Sequence, residues 1–131
     1  MIEAVYFDIS VKRLSSGDYI YHVSTEDETG NIGGESAPVL GIEPNTVFVM
    51  SIYTAGFPLY ISHLKGLEKE LEKELGGGEK LGKEGGELGG GEVGIEEGML
   101  VLTYEQVAKH GSVYYKCTHN PHMGNVIMAK P

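Results

Sequence analysis

The C-terminal segment of the chain carries the side chains with the most distinctive chemistry. The single cysteine, Cys117, follows two tyrosines, and His119, His122 and Met123 come within the next six residues. A thiolate, imidazoles and a thioether form the ligand set that soft copper prefers. This spacing lets one tight loop at the end of a β-sandwich present all four side chains to one metal ion.

A catalytic use of these side chains is less well supported. Cys117 could act as a nucleophile with a neighbouring histidine as its base. The sequence offers no recognisable group to orient that base and no oxyanion loop, so we expect a protein without enzymatic activity. The glycine-rich stretch upstream does not predict a phosphate site, because it is acidic and lacks the Gly-Lys-Ser/Thr ending of a phosphate-binding loop.

Short segments rich in β-branched and aromatic residues, separated by turn residues, make up most of the chain. The predicted strands cover residues 2–11, 19–23, 38–42, 46–53, 57–61, 99–104, 113–117 and 124–129. This pattern predicts one all-β domain over residues 1–131, built as a sandwich or barrel. Alternation along the strands gives these core candidates: Phe7, Val47, Val49, Leu59, Ile61, Leu100, Leu102, Tyr115 and Ile127.

A different pattern, over residues 64–98, interrupts the strands. Leucines recur at three- and four-residue spacing over Leu64–Leu75, among Glu and Lys, which predicts a short amphipathic helix. Glycine and glutamate dominate the remainder, which is typical of a solvated linker. A short helix with one leucine stripe needs an apolar partner. The helix and insert therefore predict contact with copies of this chain or with a larger complex.

Composition narrows the range of partners and compartments. The formal net charge is −9, which disfavours nucleic acid because its phosphates would be repelled, and weakly favours basic partners or cations. No apolar run approaches the ~20 residues that a membrane helix needs. No signal-peptide pattern precedes the first predicted strand, and one cysteine cannot form an internal disulfide.

The cysteine loop also resembles a known family. Tyr114-Tyr115-Lys116-Cys117, followed by Met123-Gly124-Asn125-Val126-Ile127, is similar to the ligand loop of cupredoxin-like domains. The resemblance is nearest to small plastocyanin-like sequences that are common in marine microbes and their phages. Gly56–Ile61 and the strand pair around Pro38 and Thr46 are similar to further segments of that family. The resemblance implies an antiparallel Greek-key β-sandwich, with the helix and glycine-rich insert outside the family pattern.

The resemblance also implies four copper ligands, of which two match. Cys117 and Met123 stand at the cysteine and methionine positions, whereas Phe57 stands at the strand-histidine position and Asn120 at the loop-histidine position.

Three histidines are candidates to replace the missing ligands. His119 and His122 flank the loop-histidine position, and the spacing of His122 from Cys117 resembles the azurin-like version of the loop. His63, six residues past Phe57, would share a strand face with it if the strand continued.

Two functions from different classes follow from these features. One is a non-catalytic structural or assembly module, such as a subunit of a virion or an extracellular surface assembly. The other is a copper-binding electron carrier of cupredoxin type. The absent histidines favour the first, and the pairing of Cys117 with Met123 favours the second.

Overall fold

The computed structural model describes residues 1–27, 30–63, 86–91, 93–120 and 122–131. Within these ranges the chain is mostly β-sheet, as the sequence predicts, and each predicted strand corresponds to one observed strand. The strands are β1 (Glu3–Arg13), β2 (Tyr19–Thr25), β3 (Leu40–Ile42), β4 (Thr46–Tyr53), β5 (Leu59–Ser62), β6 (Glu97–Thr103), β7 (Ser112–Cys117) and β8 (Asn125–Ala129). One short helix, α1 (Tyr104–Ala108), lies between β6 and β7.

The strands form two four-stranded sheets. Sheet A has the order β2-β1-β4-β6, and sheet B has the order β3-β8-β7-β5. Buried side chains from both sheets form one hydrophobic core, so the two layers pack as a β-sandwich. Both sheets are mixed, because β1 pairs parallel with β4 and β3 pairs parallel with β8. The expectation of a purely antiparallel arrangement is therefore wrong for these two pairs.

Strand β4 buries the face opposite to the one expected from the sequence. Val47 and Val49 are only partly buried, whereas Phe48, Met50 and Ile52 are almost completely buried. Both faces of this strand are apolar, and a shift of one residue exchanges them, so alternation alone cannot choose the inner face. The other core candidates lie in the core or against it: Phe7, Leu59, Ile61, Leu100, Leu102, Tyr115 and Ile127.

Strand β5 is the edge strand of sheet B, and part of the insert covers it. The N–H of Leu59 donates to the carbonyl of Ile95 at 2.8 Å, and the N–H of Ile61 donates to the carbonyl of Gly89 at 2.9 Å. All four β5 residues are buried. The described part of the insert is therefore bound to the sandwich, whereas the sequence predicted a solvated linker.

Helix α1 was not predicted, although its starting signal is present in the sequence. Thr103 caps the helix by accepting from the N–H of Gln106 at 3.2 Å, and the Gln106 side chain accepts from the N–H of Thr103 at 2.9 Å. This reciprocal pair is a capping box. Its Thr-x-x-Gln spacing could have identified the helix, which buries Val107 against the core.

The predicted helix over Leu64–Leu75 and the first glycines of the insert lie outside the described residues. Within the residues that the structure describes, no helix combines the length and apolar character needed to cross a membrane.

Candidate metal centre

Cys117, the central member of the predicted copper site, ends β7 and lies inside the sandwich. Its strand alternates between buried and partly buried residues, so Val113, Tyr115 and Cys117 share the core face. Cys117 is paired with Leu59 of β5 in the sheet register, and none of its surface is exposed to solvent. A metal ion at this sulfur would have to be held within the protein interior.

The hydroxyl group of Tyr21 is the polar neighbour of this thiol. Tyr21 lies on β2, is fully buried, and donates its O–H to the carbonyl of Phe57 at 2.9 Å. Burial first, and then the neighbouring Cys117, raise the pKa of Tyr21 well above its ordinary value. The hydroxyl therefore stays protonated and links sheet A to the cysteine end of sheet B.

Met123, at the second matching ligand position, lies at the same end of the sandwich as Cys117. It is fully buried, and its carbonyl accepts from the N–H of Tyr21 at 2.9 Å. The next residue, Gly124, runs so close to the strand before the loop that an added Cβ would overlap the carbonyl oxygen of Tyr115. The backbone of Tyr21 thus fixes the loop that returns from Cys117.

Phe57 and Asn120 stand at the two positions where the family pattern has histidines, and both make structural contacts. Phe57 packs its ring against Tyr19 with centroids 4.9 Å apart, and its N–H donates to the carbonyl of Thr54 at 2.7 Å. Asn120 uses its side-chain oxygen to accept from the N–H of His122 at 3.2 Å. Phe57 contributes packing and a carbonyl acceptor, and Asn120 stabilises the loop turn.

The loop histidines and His63 are placed differently from one another. His119 and His122 are exposed on the loop that follows β7. His63 lies just beyond the other end of β5, because Leu59 is the residue that pairs with Cys117. Four residues of strand correspond to roughly 13 Å, whereas ligands of one metal lie within about 4 Å of each other. His63 therefore cannot share a metal ion with Cys117 in this arrangement.

His63 instead belongs to a second cluster that the sequence did not indicate. Its ring stacks on His110 with centroids 4.2 Å apart and an interplanar angle of 16°. The ring Nδ1 of His63 contacts a carboxylate oxygen of Glu87, and the backbone N–H of His63 donates to the same oxygen at 2.8 Å. Burial raises the pKa of Glu87, but the hydrogen bonds from His63 outweigh this and hold the pKa below its ordinary value. The cluster ties the insert to the end of β5.

The residues at the cysteine end do not fit a four-ligand copper centre. Cys117 and Met123 are both fully buried near Tyr21, but Phe57 and Asn120 stand where the family pattern has histidines. Across the described ranges, no three His, Cys, Asp or Glu side chains gather closely enough to hold a metal ion. Tyr21 is the residue that sequence reasoning missed, because β2 buries the adjacent residues Ile20 and Tyr21 and its burial does not alternate.

Comparison with models of known protein families finds no match to this chain, and comparison with curated protein sequences finds none either.

Proposed function

We propose that this chain is a cupredoxin-like Greek-key sandwich that acts as a non-enzymatic structural module in a protein assembly, without a copper centre. Two features support the fold assignment. Within the described part of the chain, only β1–β2 and β7–β8 are connected within one sheet, and the other successive strands alternate between sheets. The Cys117–Met123 loop also lies at one end of the sandwich, as the resemblance implies.

The observation that carries the proposal is the contact among Tyr21, Cys117 and Phe57. In a copper protein of this type, the sulfur and a histidine ring would face a shared metal position. Here the Tyr21 hydroxyl donates to the Phe57 carbonyl at 2.9 Å, beside the buried Cys117. This arrangement satisfies a backbone carbonyl inside the sandwich, and Phe57 itself has no metal-binding group at the position where the family pattern has a histidine.

Burial of the cysteine also supports a role without catalysis. A nucleophile must meet its substrate, and Cys117 has no solvent-accessible surface. Its neighbour Tyr21 has a pKa that burial raises, and a group that holds its proton so firmly is a poor general base near neutral pH. The pair therefore serves packing rather than proton transfer.

An assembly role is supported by the exposed apolar residues of sheet A. Tyr6, Tyr53, Met99 and Val101 are each more than half exposed. Exposed apolar side chains that lie together on one surface commonly mark an interaction site. A virion or an extracellular surface assembly is the setting that we propose, as a sandwich supplies a rigid scaffold there. Light scattering of the purified chain, alone and mixed with the other proteins of such an assembly, tests whether the chain associates with itself or with them.

Copper titration tests the metal-free part of the proposal. Adding Cu²⁺ to the reduced protein should produce no intense blue absorption and no stoichiometric rise in thermal stability. The double variant Phe57→His with Asn120→His supplies the two absent ligands while keeping Cys117 and Met123. If the cupredoxin-like relationship is right, this variant should turn blue with one equivalent of copper.

Two further outcomes make the titration decisive. The same double variant with Cys117→Ser should remain colourless, because the thiolate is the source of the blue colour. A blue unmodified protein would overturn the metal-free proposal in favour of a copper-binding electron carrier. A folded double variant that stays colourless would contradict the cupredoxin-like assignment.

A further inference from the structure

The outer face of sheet A presents an apolar surface that the sandwich itself does not cover. In the sheet register, Tyr6 of β1 is paired with Val49 of β4, and Val49 is paired with Val101 of β6. Paired residues point to the same side of a sheet, and neighbouring strands lie ~4.8 Å apart. The three side chains therefore form a continuous row across the middle of the sheet.

The row extends along the strands on the same side. Met99 follows two residues from Val101 on β6, and Tyr53 follows four residues from Val49 on β4, with Ser51 between them. Met99 and Tyr53 are 63% and 64% exposed. An aromatic side chain buries about 200 Å² when it is covered. The exposed parts of these side chains together therefore offer on the order of 400 Å² of surface for contact. A patch of this size on one chain is often functional. We call Tyr6, Val49, Tyr53, Met99 and Val101 the sheet A patch.

Acidic clefts lie at both ends of the sheet A patch. One, of about 230 Å³, places Tyr6 beside Glu26 and Asp27. The other, of about 330 Å³, places Tyr53 beside Glu96 and Glu97. In neither cleft does a lysine or arginine of the described chain line the wall, and none of these four carboxylates forms an ion pair with a described residue.

The carboxylates in the two clefts favour a positively charged binding partner. An aromatic ring beside carboxylates attracts a cationic side chain through both the ring face and the negative charge. A second copy of this chain is a poor match, because its own patch carries the same acidic clefts and the whole chain has a net charge of −9. The patch is therefore complementary to a surface that is apolar in the centre and basic at both ends.

The spacing of the clefts indicates the shape of that surface. Tyr53 lies four residues beyond Val49 on β4, and Val49 pairs with Tyr6, so the clefts are roughly 13 Å apart along the strand. In an extended segment, residues i, i+2 and i+4 point to one side and span the same distance. Two basic residues at i and i+4 would reach the clefts, while an apolar residue at i+2 would lie level with Met99, which pairs with Ser51 midway between Val49 and Tyr53.

We propose that the sheet A patch docks an extended segment of a partner protein with the pattern basic-x-apolar-x-basic. This inference rests on the proposed assembly role and names the surface and partner chemistry for it. A fluorescein-labelled peptide centred on Lys-Thr-Val-Thr-Lys is the probe. By fluorescence anisotropy it should bind at least about tenfold more tightly than the same peptide with Glu in place of both Lys, and its binding should weaken as salt is raised.

Matched valine variants locate the binding surface. Val101 on the patch and Val39 before β3 are 53% and 56% exposed, so replacing either by serine should leave the fold intact. Val101→Ser should weaken peptide binding by about threefold to tenfold, and Val39→Ser by less than about twofold. Moving one Lys to the i+3 position should weaken binding as much as removing it, since that side chain then points away from the patch.

The other possible occupants give different results. If a second copy covers the patch, Val101→Ser should dissociate an oligomer that Val39→Ser leaves intact, and the proposal of a basic partner fails. If the chain's own residues 64–85 cover it, NMR signals of Tyr6 and Tyr53 should not shift with peptide, and the proposal also fails. Neither result bears on the copper titration, so failure of this inference and failure of the proposed function are distinguishable.

Discussion

The hydroxyl of Tyr21 donates to the carbonyl of Phe57 at 2.9 Å, next to the buried Cys117. These three residues come from β2, the loop before β5 and the end of β7. The phenol on β2 therefore satisfies a backbone carbonyl of the loop before β5 and so links the two sheets.

Removing this hydroxyl should destabilise the fold without changing it. Tyr21→Phe leaves the Phe57 carbonyl without its donor at a part-buried site, and we expect a loss of about 1–3 kcal/mol in the free energy of unfolding. Tyr104→Phe is the matched control, because the Tyr104 hydroxyl donates to the carbonyl of Lys130 at an exposed site. Urea denaturation of both variants measures the difference. Equal losses would contradict the role given to Tyr21.

Strand β4 provides a direct test of which face is buried. Phe48→Ala removes a core side chain that is 2% exposed, and we expect a loss of about 3–5 kcal/mol. Val49→Thr changes a partly exposed residue of nearly equal size on the outer face, and should cost less than about 1 kcal/mol. Thermal or chemical unfolding ranks the two variants. The reverse ranking would mean that the sequence-based choice of face was right.

The loop between Cys117 and β8 depends on the absence of a side chain at Gly124. In Gly124→Ala the new Cβ would overlap the carbonyl oxygen of Tyr115, and the backbone would have to move, so we expect a loss of about 3 kcal/mol or more. Gly30→Ala places its Cβ in open space and should be within about 0.5 kcal/mol of the original protein. Circular dichroism during urea unfolding compares them. A Gly124→Ala protein as stable as the control would show that the loop can shift.

Acid stability should depend on Glu87. Its pKa is lower in the folded chain than the ordinary value of 4.5, so its contribution is present above that value and is lost as the pH falls through the lower folded pKa. Glu87→Gln should therefore show a smaller decrease in stability on acidification below pH 4.5 than the original protein. Thermal unfolding midpoints measured across this pH range give the slope of stability against pH for each protein.

The exposed acid Glu35, which pairs with Lys12 at 3.3 Å, supplies the control for charge removal. Surface pairs of this kind contribute little to stability. Glu35→Gln should leave the acid-induced slope close to that of the original protein. An unchanged slope in Glu87→Gln would mean that the His63 contact does not stabilise the folded chain.

The strand pattern of this protein could be predicted from its sequence because it depends on local features. β-Branched and aromatic runs between turn residues indicated each strand, and the short loop from Cys117 to Met123 required both residues to lie at one end of the sandwich. The Thr103-x-x-Gln106 spacing even contained the signal for α1. These properties follow from backbone preferences and from distances of only a few residues along the chain.

Only the tertiary structure decided which groups meet in the core. The inner face of β4 was ambiguous, because Val47 and Phe48 are both apolar and packing against sheet B selects between them. The contact between Tyr21 and Cys117 joins residues 96 positions apart in the numbering, and the register of β5 against β7 sends His63 to Glu87 rather than to the cysteine. Such pairings depend on how the two sheets pack, because local sequence pattern carries no information about which distant strand lies opposite.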